Sequence, residues 1–171
     1  DGGTYSYAAS KTDLDYFSGT SSHNTVQFDG RNQMPRLGRF LFGDWLKVDN
    51  MSPVENLSDS VICSASYRDG WGAKHSRAIK LGENNLSIQD DISDFDESAI
   101  LRWRLEPAEW QIQGHSISCN DIRIIVSADV EIKRFELVEG FESRYYYQRT
   151  RLPVLEIEFS RSATVTTEIV F

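Results

Sequence analysis

At 171 residues, 40% hydrophobic and 26% charged, the chain has the size and composition of one globular domain with a sizeable core. Its formal net charge of −8 argues against a general nucleic-acid binder. No apolar run approaches the roughly 18 residues of a membrane span. The opening Asp1-Gly-Gly-Thr-Tyr-Ser-Tyr7 has no starting Met and no basic-then-apolar signal pattern. The chain is therefore expected to be processed or a piece of something longer.

Asp1 to Ser22 is rich in Gly, Ser, Thr and Tyr and reads as a long loop with a helical turn near Asp13 to Phe17. Long ordered loops are more often functional than not. Val26 and Phe28 alternate with Gln27 and Asp29, and Asp29-Gly30 predicts a turn after a short strand. Arg39 to Val48 alternates next and predicts a strand. Asp49 to Asp59, with Pro53, breaks it. Val61, Cys63, Ala65 and Tyr67 mark a half-buried strand. Ser76 to Leu81 and Leu86 to Ile92 predict a hairpin joined at Gly82 to Asn85.

Leu101, Trp103 and Leu105 alternate with Arg102 and Arg104, which puts two guanidinium groups on one strand face and three apolar side chains on the other. Ile122 to Val126, Glu131 to Val138 and Arg144 to Tyr147 follow, with a break expected at Gly140. Leu155, Ile157 and Phe159 alternate with Glu156 and Glu158, and Val165 to Phe171 closes the chain. Helical periodicity never lasts three turns. Ten or eleven short strands separated by turn signals predict an all-β fold, a large antiparallel sandwich in a single domain.

Charge is unevenly spread. Arg31, Arg36, Arg39 and Lys47 meet only Asp44 between residues 31 and 47, and Arg144, Arg149 and Arg151 form a second basic group. This leaves an anionic ligand open. Acid gathers at Asp90, Asp91, Asp94, Asp96 and Glu97; without EF-hand spacing, the run reads as a solvated hairpin loop. Cys63 and Cys119 lack metal-site spacing. Cys63 reads as a small core residue, a disulfide between the two stays open, and so does the compartment.

His23-Asn24, entering the first strand, is the sharpest site. A histidine there suits a metal ligand or a group that binds or protonates a substrate; the alternative is a loop histidine bonded to local backbone. Asp1 could be a second ligand, since carboxylate and imidazole suit zinc, or simply a turn residue. The Gly-rich opening, Asp1 to Tyr7, is expected to fold against this stretch, and Tyr5, Tyr7 and Tyr16 lie beside it. A tyrosine can act as general acid or base beside a cation, although loop anchoring is the commoner role. His75, with Arg77, follows the Trp71 turn and could face the same cleft, or sit on a solvent-exposed turn. Tyr145-Tyr146-Tyr147 could stack on sugar rings, or lie in a strand that buries its middle residue. His115 reads as a turn.

Several of these blocks carry a family resemblance. Asp1-Gly-Gly-Thr-Tyr-Ser-Tyr, Tyr16-Phe17, His23-Asn24-Thr25-Val26 and Asp29-Gly30-Arg31-Asn32-Gln33 together resemble the C-terminal sheet domain of heparinase II/III-like polysaccharide lyases. His75-Ser76-Arg77, Leu101-Arg-Trp-Arg-Leu-Glu-Pro107 and Ser143-Arg144-Tyr145-Tyr146 with Pro153-Val154-Leu155 fit later segments more weakly. The resemblance implies a supersandwich-like domain preceded by an α/α toroid. It also implies cleavage of uronate-containing acidic polysaccharides, glycosaminoglycan or alginate-like, by β-elimination. Asn, His or Arg neutralises the carboxylate, a base takes the C5 proton and a Tyr protonates the leaving oxygen.

On these grounds Tyr5, Tyr16 and His75 are candidate catalytic residues. Asn24, Tyr7 and Arg31 are candidate substrate-binding residues. The resemblance makes Asp1 and His23 two ligands of a zinc site whose third ligand lies upstream of Asp1. Ser18 stands where the family commonly has Arg. The expected partners are the toroid and an acidic polysaccharide, with a homodimer as a further option, in a periplasmic or extracellular setting. This stretch alone should lack lyase activity. The alternative is a non-catalytic carbohydrate-binding or structural sandwich.

Overall fold

The computed structural model describes residues 2–38 and 40–171. Ser10 starts α1 (Lys11–Phe17): its hydroxyl accepts the Asp13 N–H at 3.1 Å and donates to Asp13 Oδ2 at 2.8 Å, a side-chain cap for groups the first turn leaves unpaired. A 3-10 turn, Thr20–Ser22, follows. Thirteen strands are found among the described residues, more than alternation predicts because several are only two to four residues long.

The small sheet contains β1 (Val26–Phe28), β7 (Ala99–Arg104), β12 (Thr150–Phe159) and β11 (Arg134–Glu142), in that order. The large sheet runs β2 (Lys47–Met51), β4 (Val61–Arg68), β5 (Lys74–Leu81), β6 (Asn85–Ser93), β13 (Ala163–Val170), β10 (Ile122–Ala128), β9 (Ser116–Cys119), β8 (Gln111–Gln113). A short β3 (Glu55–Asn56) pairs with β4. All these ladders are antiparallel. The fold is an antiparallel β-sandwich, as the alternation predicts.

Register explains the core. Leu101 lies opposite Ile157, and Arg102 opposite Glu156, so one face of the β7–β12 pair is apolar and the other is ion-paired. Val26, Phe28, Leu101, Leu155, Ile157 and Phe159 from the small sheet pack against Ile88, Ile92, Ile124 and Val165 from the large one. Burying a side chain of this size contributes about 1.5–3 kcal/mol. Arg102 is buried as well, because Glu156 at 2.6 Å and Gln27 at 2.7 Å satisfy it on the outer face.

Several expectations are corrected. Arg39 lies outside the described residues, and residues 40–46 form no strand. This segment folds on itself: Leu37 N–H donates to the Leu41 carbonyl and Gly43 N–H to the Pro35 carbonyl. Phe40, Leu41 and Trp45 are exposed, Phe40 at 73% and Trp45 at 71%, so much of the alternation there reflects an apolar surface. β2 instead occupies part of the predicted break. β11 runs through Gly140, opposite Leu152. A Cβ there would press on Val154 and on the Tyr16 hydroxyl, so the glycine permits a close approach and does not end the strand.

Tyr145 to Tyr147 form a turn, closed by the Gln148 N–H on the Tyr145 carbonyl with Tyr147 at φ 63°, and all three rings are exposed. Asp90 and Asp91 belong to β6, and Asp90 is wholly buried. Both cysteines are free. Among the described residues no helix is long and apolar enough to cross a membrane.

Candidate functional site

The opening segment folds against the His23 stretch, as expected. Gly2 N–H donates to the Ser22 carbonyl at 2.7 Å, Ser143 N–H to the Gly2 carbonyl at 2.8 Å and Tyr147 N–H to the Tyr5 carbonyl at 2.8 Å. Gly3 has φ 70° and bridges Ser143; a Cβ there would overlap the Ser143 carbonyl. Two remote pieces, residues 2–7 and the 143–147 turn, are thereby fastened together. Between residues 3–7, α1, Met34 and Phe42 lies a cleft of about 460 Å³, lined by Tyr5, Tyr7, Asp13, Phe17, His23 and Phe40 among others.

Tyr5 stacks on Phe17 at 5.7 Å and meets the Tyr147 ring edge at 5.6 Å. Tyr7 is exposed, with the Phe40 and Tyr146 rings at 5.4 and 6.0 Å. The half-buried His23 ends the 3-10 turn, its N–H on the Thr20 carbonyl at 3.2 Å. Burial lowers its pKa, and the Arg104 charge adds to the shift. The ring is therefore neutral at neutral pH, able to accept a proton or ligate a metal.

The residues after His23 are held from several sides. The Asn24 carbonyl accepts Arg77 Nη1 at 2.8 Å, and Asn24 Oδ1 accepts the Arg104 N–H at 2.8 Å. The Thr25 carbonyl accepts the Arg102 N–H at 3.1 Å. Gln33 Nε2 donates to Thr25 Oγ1 at 3.0 Å and to the Tyr67 hydroxyl. Burial pushes the Tyr67 hydroxyl up to about 12, so it stays protonated. Asn24 thus fastens both sheets to the loop and does not line the cleft.

Arg31, Tyr16 and His75 also lie outside this cleft. Arg31 pairs with Asp29 and, at 2.7 Å, with Asp69, and lies 5.0 Å from the centre of the Trp71 ring. Asp29 also accepts the N–H groups of Glu97, Ser98 and Asp96. Burial alone would raise the Asp29 pKa, but these bonds and Arg31 hold it down to about 2. Arg31 is a clamp between two turns. The Tyr16 hydroxyl is engaged by β11. His75 is not on an exposed turn: it is 4% exposed within β5, with Nε2 2.6 Å from Asp90 Oδ1.

Asp1, the other expected zinc ligand, lies outside the described residues. Among the described residues no cluster of three His, Cys, Asp or Glu could hold a metal. His23 and Asp13 are the residues of these types lining the cleft, and Asp13 is engaged by Ser10 and Arg149. The described residues therefore do not make a zinc site by themselves.

Sequence reading missed Arg77 as a support of the site, Asp90 as its buried counter-ion, and Phe40 as a cleft residue. Asp90 had a signal: it shares a strand face with Ile88 and Ile92, both buried.

The model of the family described as heparinase II/III-like, C-terminal, matches residues 1–150. The chain belongs to this family. The fold of this heparinase II/III-like domain is found in solved structures of low sequence identity. It matches a heparinase III, the BT4657 gene product, with TM-score 0.78 and 16% identity, over 100% of this chain and 27% of that one. It matches the heparan sulfate lyase HepC from Pedobacter heparinus with TM-score 0.73 and 13% identity, over 100% of this chain and 28% of that one. A further heparinase III structure gives 0.78 and 15%, over 99% and 27%. The chain thus spans little more than a quarter of the length of these proteins. No curated protein matches the sequence.

Proposed function

We propose that this domain is the C-terminal sandwich of a polysaccharide lyase and that the Tyr5–Tyr7–His23 cleft is one wall of its substrate channel. The substrate is a uronate-containing acidic polysaccharide. In the β-elimination, a base takes the C5 proton, its electron pair forms the C4–C5 double bond, the C4–O bond breaks, and the leaving oxygen takes a proton. The observation that carries this reading is the meeting of residues 3–7 with His23 around one open cleft of about 460 Å³. The exposed Tyr7 and Phe40 rings offer apolar faces on which sugar rings can stack. His23, neutral and half-buried, takes a proton or a metal; Tyr5 is the catalytic candidate that reaches the cleft.

The exposed Leu37, Phe40, Leu41 and Trp45 beside the cleft suit cover by a preceding α/α toroid. Large exposed apolar patches mark interaction sites. Zinc, if bound, takes Asp1 and His23 with a third ligand from outside this stretch. Such a substrate implies a periplasmic or extracellular setting.

The isolated domain should cleave no uronate polymer, and the full-length protein should, read as unsaturated-uronate absorbance. Activity in the isolated domain would sink the single-wall reading. Zinc titration of the full-length protein should show a site that His23→Ala weakens; unchanged affinity removes His23 from the ligand set.

The three exposed rings of the 145–147 turn favour a second reading, a carbohydrate-binding domain with no part in cleavage. Under it, His23→Ala leaves cleavage intact, whereas Tyr146→Ala lowers polymer affinity.

A further inference from the structure

His75, Arg77 and Ile79 share one face of β5. Ile88, Asp90 and Ile92 share the same side of β6, and Arg77 and Asp90 are register partners. Asp90 is fully buried. Its carboxylate accepts Arg77 Nε at 2.6 Å and Nη2 at 3.1 Å, and lies 2.6 Å from His75 Nε2. The two-point contact fixes the plane of the guanidinium, which also lies over the Trp103 ring at 4.7 Å. Its remaining nitrogen, Nη1, points out of this cluster and donates to the Asn24 carbonyl at 2.8 Å.

From the other sheet, the Arg104 N–H donates to Asn24 Oδ1. The residue next to His23 is therefore gripped by both layers of the sandwich. Neither Arg77 nor Asp90 lines the cleft.

We propose that Arg77 is a positioning residue: seated on the buried Asp90 carboxylate, its guanidinium sets where the Asn24 carbonyl, and with it His23, stands against the cleft. Its effect on turnover rests on the proposed function; its effect on the loop does not. The planar fork is what the role requires. A lysine presents one point charge on a flexible stem, so it can neutralise Asp90 or reach the Asn24 carbonyl, but cannot hold both in fixed geometry. If Arg77 served only to balance Asp90, lysine would replace it.

The test uses the full-length protein, with Arg77→Lys and, as a second variant that keeps the shape of the buried group, Asp90→Asn. Hydrogen exchange of the Arg104 amide, which Asn24 Oδ1 shelters, should quicken about tenfold in both while the distant Val126 amide keeps its rate. On a uronate polymer, kcat should fall on the order of 10- to 100-fold with KM held within about twofold, as expected for a misplaced group. An Arg104 exchange rate within about twofold of the parent's, in whichever variant folds, overturns the positioning role. If the parent cleaves no uronate polymer, the lyase reading falls, and the exchange rates still decide the role of Arg77.

Discussion

The Tyr16 hydroxyl accepts the Phe141 N–H at 2.8 Å and has Arg104 Nη1 at 3.4 Å, so the helix bordering the cleft is fastened to the edge strand of the small sheet. This makes Tyr16 an anchor. Tyr16→Phe should lower stability by about 1 kcal/mol, the net worth of one such bond, measured as a shift of the urea midpoint. A loss of turnover with no loss of stability would instead put the Tyr16 hydroxyl in the reaction.

The Asp90 carboxylate faces both His75 and Arg77. Burial alone would raise its pKa, but the bonds from His75 and then Arg77 hold it below the ordinary carboxylate range. Asp90→Ala removes the buried anion and leaves the half-buried Arg77 guanidinium without its partner. A cost of about 3–5 kcal/mol is expected. Because His75 shares the same carboxylate, Asp90→Ala and His75→Ala should be strongly non-additive in a double-mutant cycle; additive losses would show that the two act separately.

Acid should weaken the domain in a defined window. The Asp29 pKa falls from 3.8 to about 2 on folding. Its stabilising contribution is therefore complete above 3.8 and is lost as pH falls through about 2. Asp90 and Glu156 shift in the same direction. Urea midpoints should decline slightly below pH 6.5, where folding opposes protonation of His23, and then drop more steeply towards pH 2, and Asp29→Asn should flatten part of the steep drop. An unaltered acid limb in that variant would contradict the role given to Asp29.

Gly3 holds a left-handed conformation against Ser143. Gly3→Ala should cost about 1–2 kcal/mol from that backbone conformation alone, and more from the overlap with the Ser143 carbonyl. Limited proteolysis should then cut near residues 2–7 sooner than in the parent. Equal cutting rates would mean that the 143–147 turn does not hold this segment.

The sandwich was legible wherever an alternating strand had one face in the core. Leu101, Trp103 and Leu105, and Leu155, Ile157 and Phe159, announce their strands because the opposite face carries Arg102 and Glu156, which pair with each other. Alternation misled at 40–46, where Phe40, Leu41 and Trp45 are exposed and the segment joins neither sheet. It also misled at Tyr145 to Tyr147, where β-prone rings occupy a turn.

The meeting of the Tyr5 block with His23 was foreseen. The diversion of Asn24, Arg31 and His75 into scaffold bonds was not. Their partners Arg104, Asp69 and Asp90 lie 80, 38 and 15 positions away in the chain, a separation that residue type and local spacing do not reveal.

The most direct test of the central claim, that this domain supplies a working wall of a lyase cleft through His23, is turnover of the full-length protein on uronate-containing polymers with and without His23→Ala. Unsaturated-uronate absorbance should rise with the parent and fall by on the order of 100-fold or more in the variant, the scale of a lost acid–base group, while its urea midpoint stays near the parent's. Equal turnover in parent and variant would contradict the account.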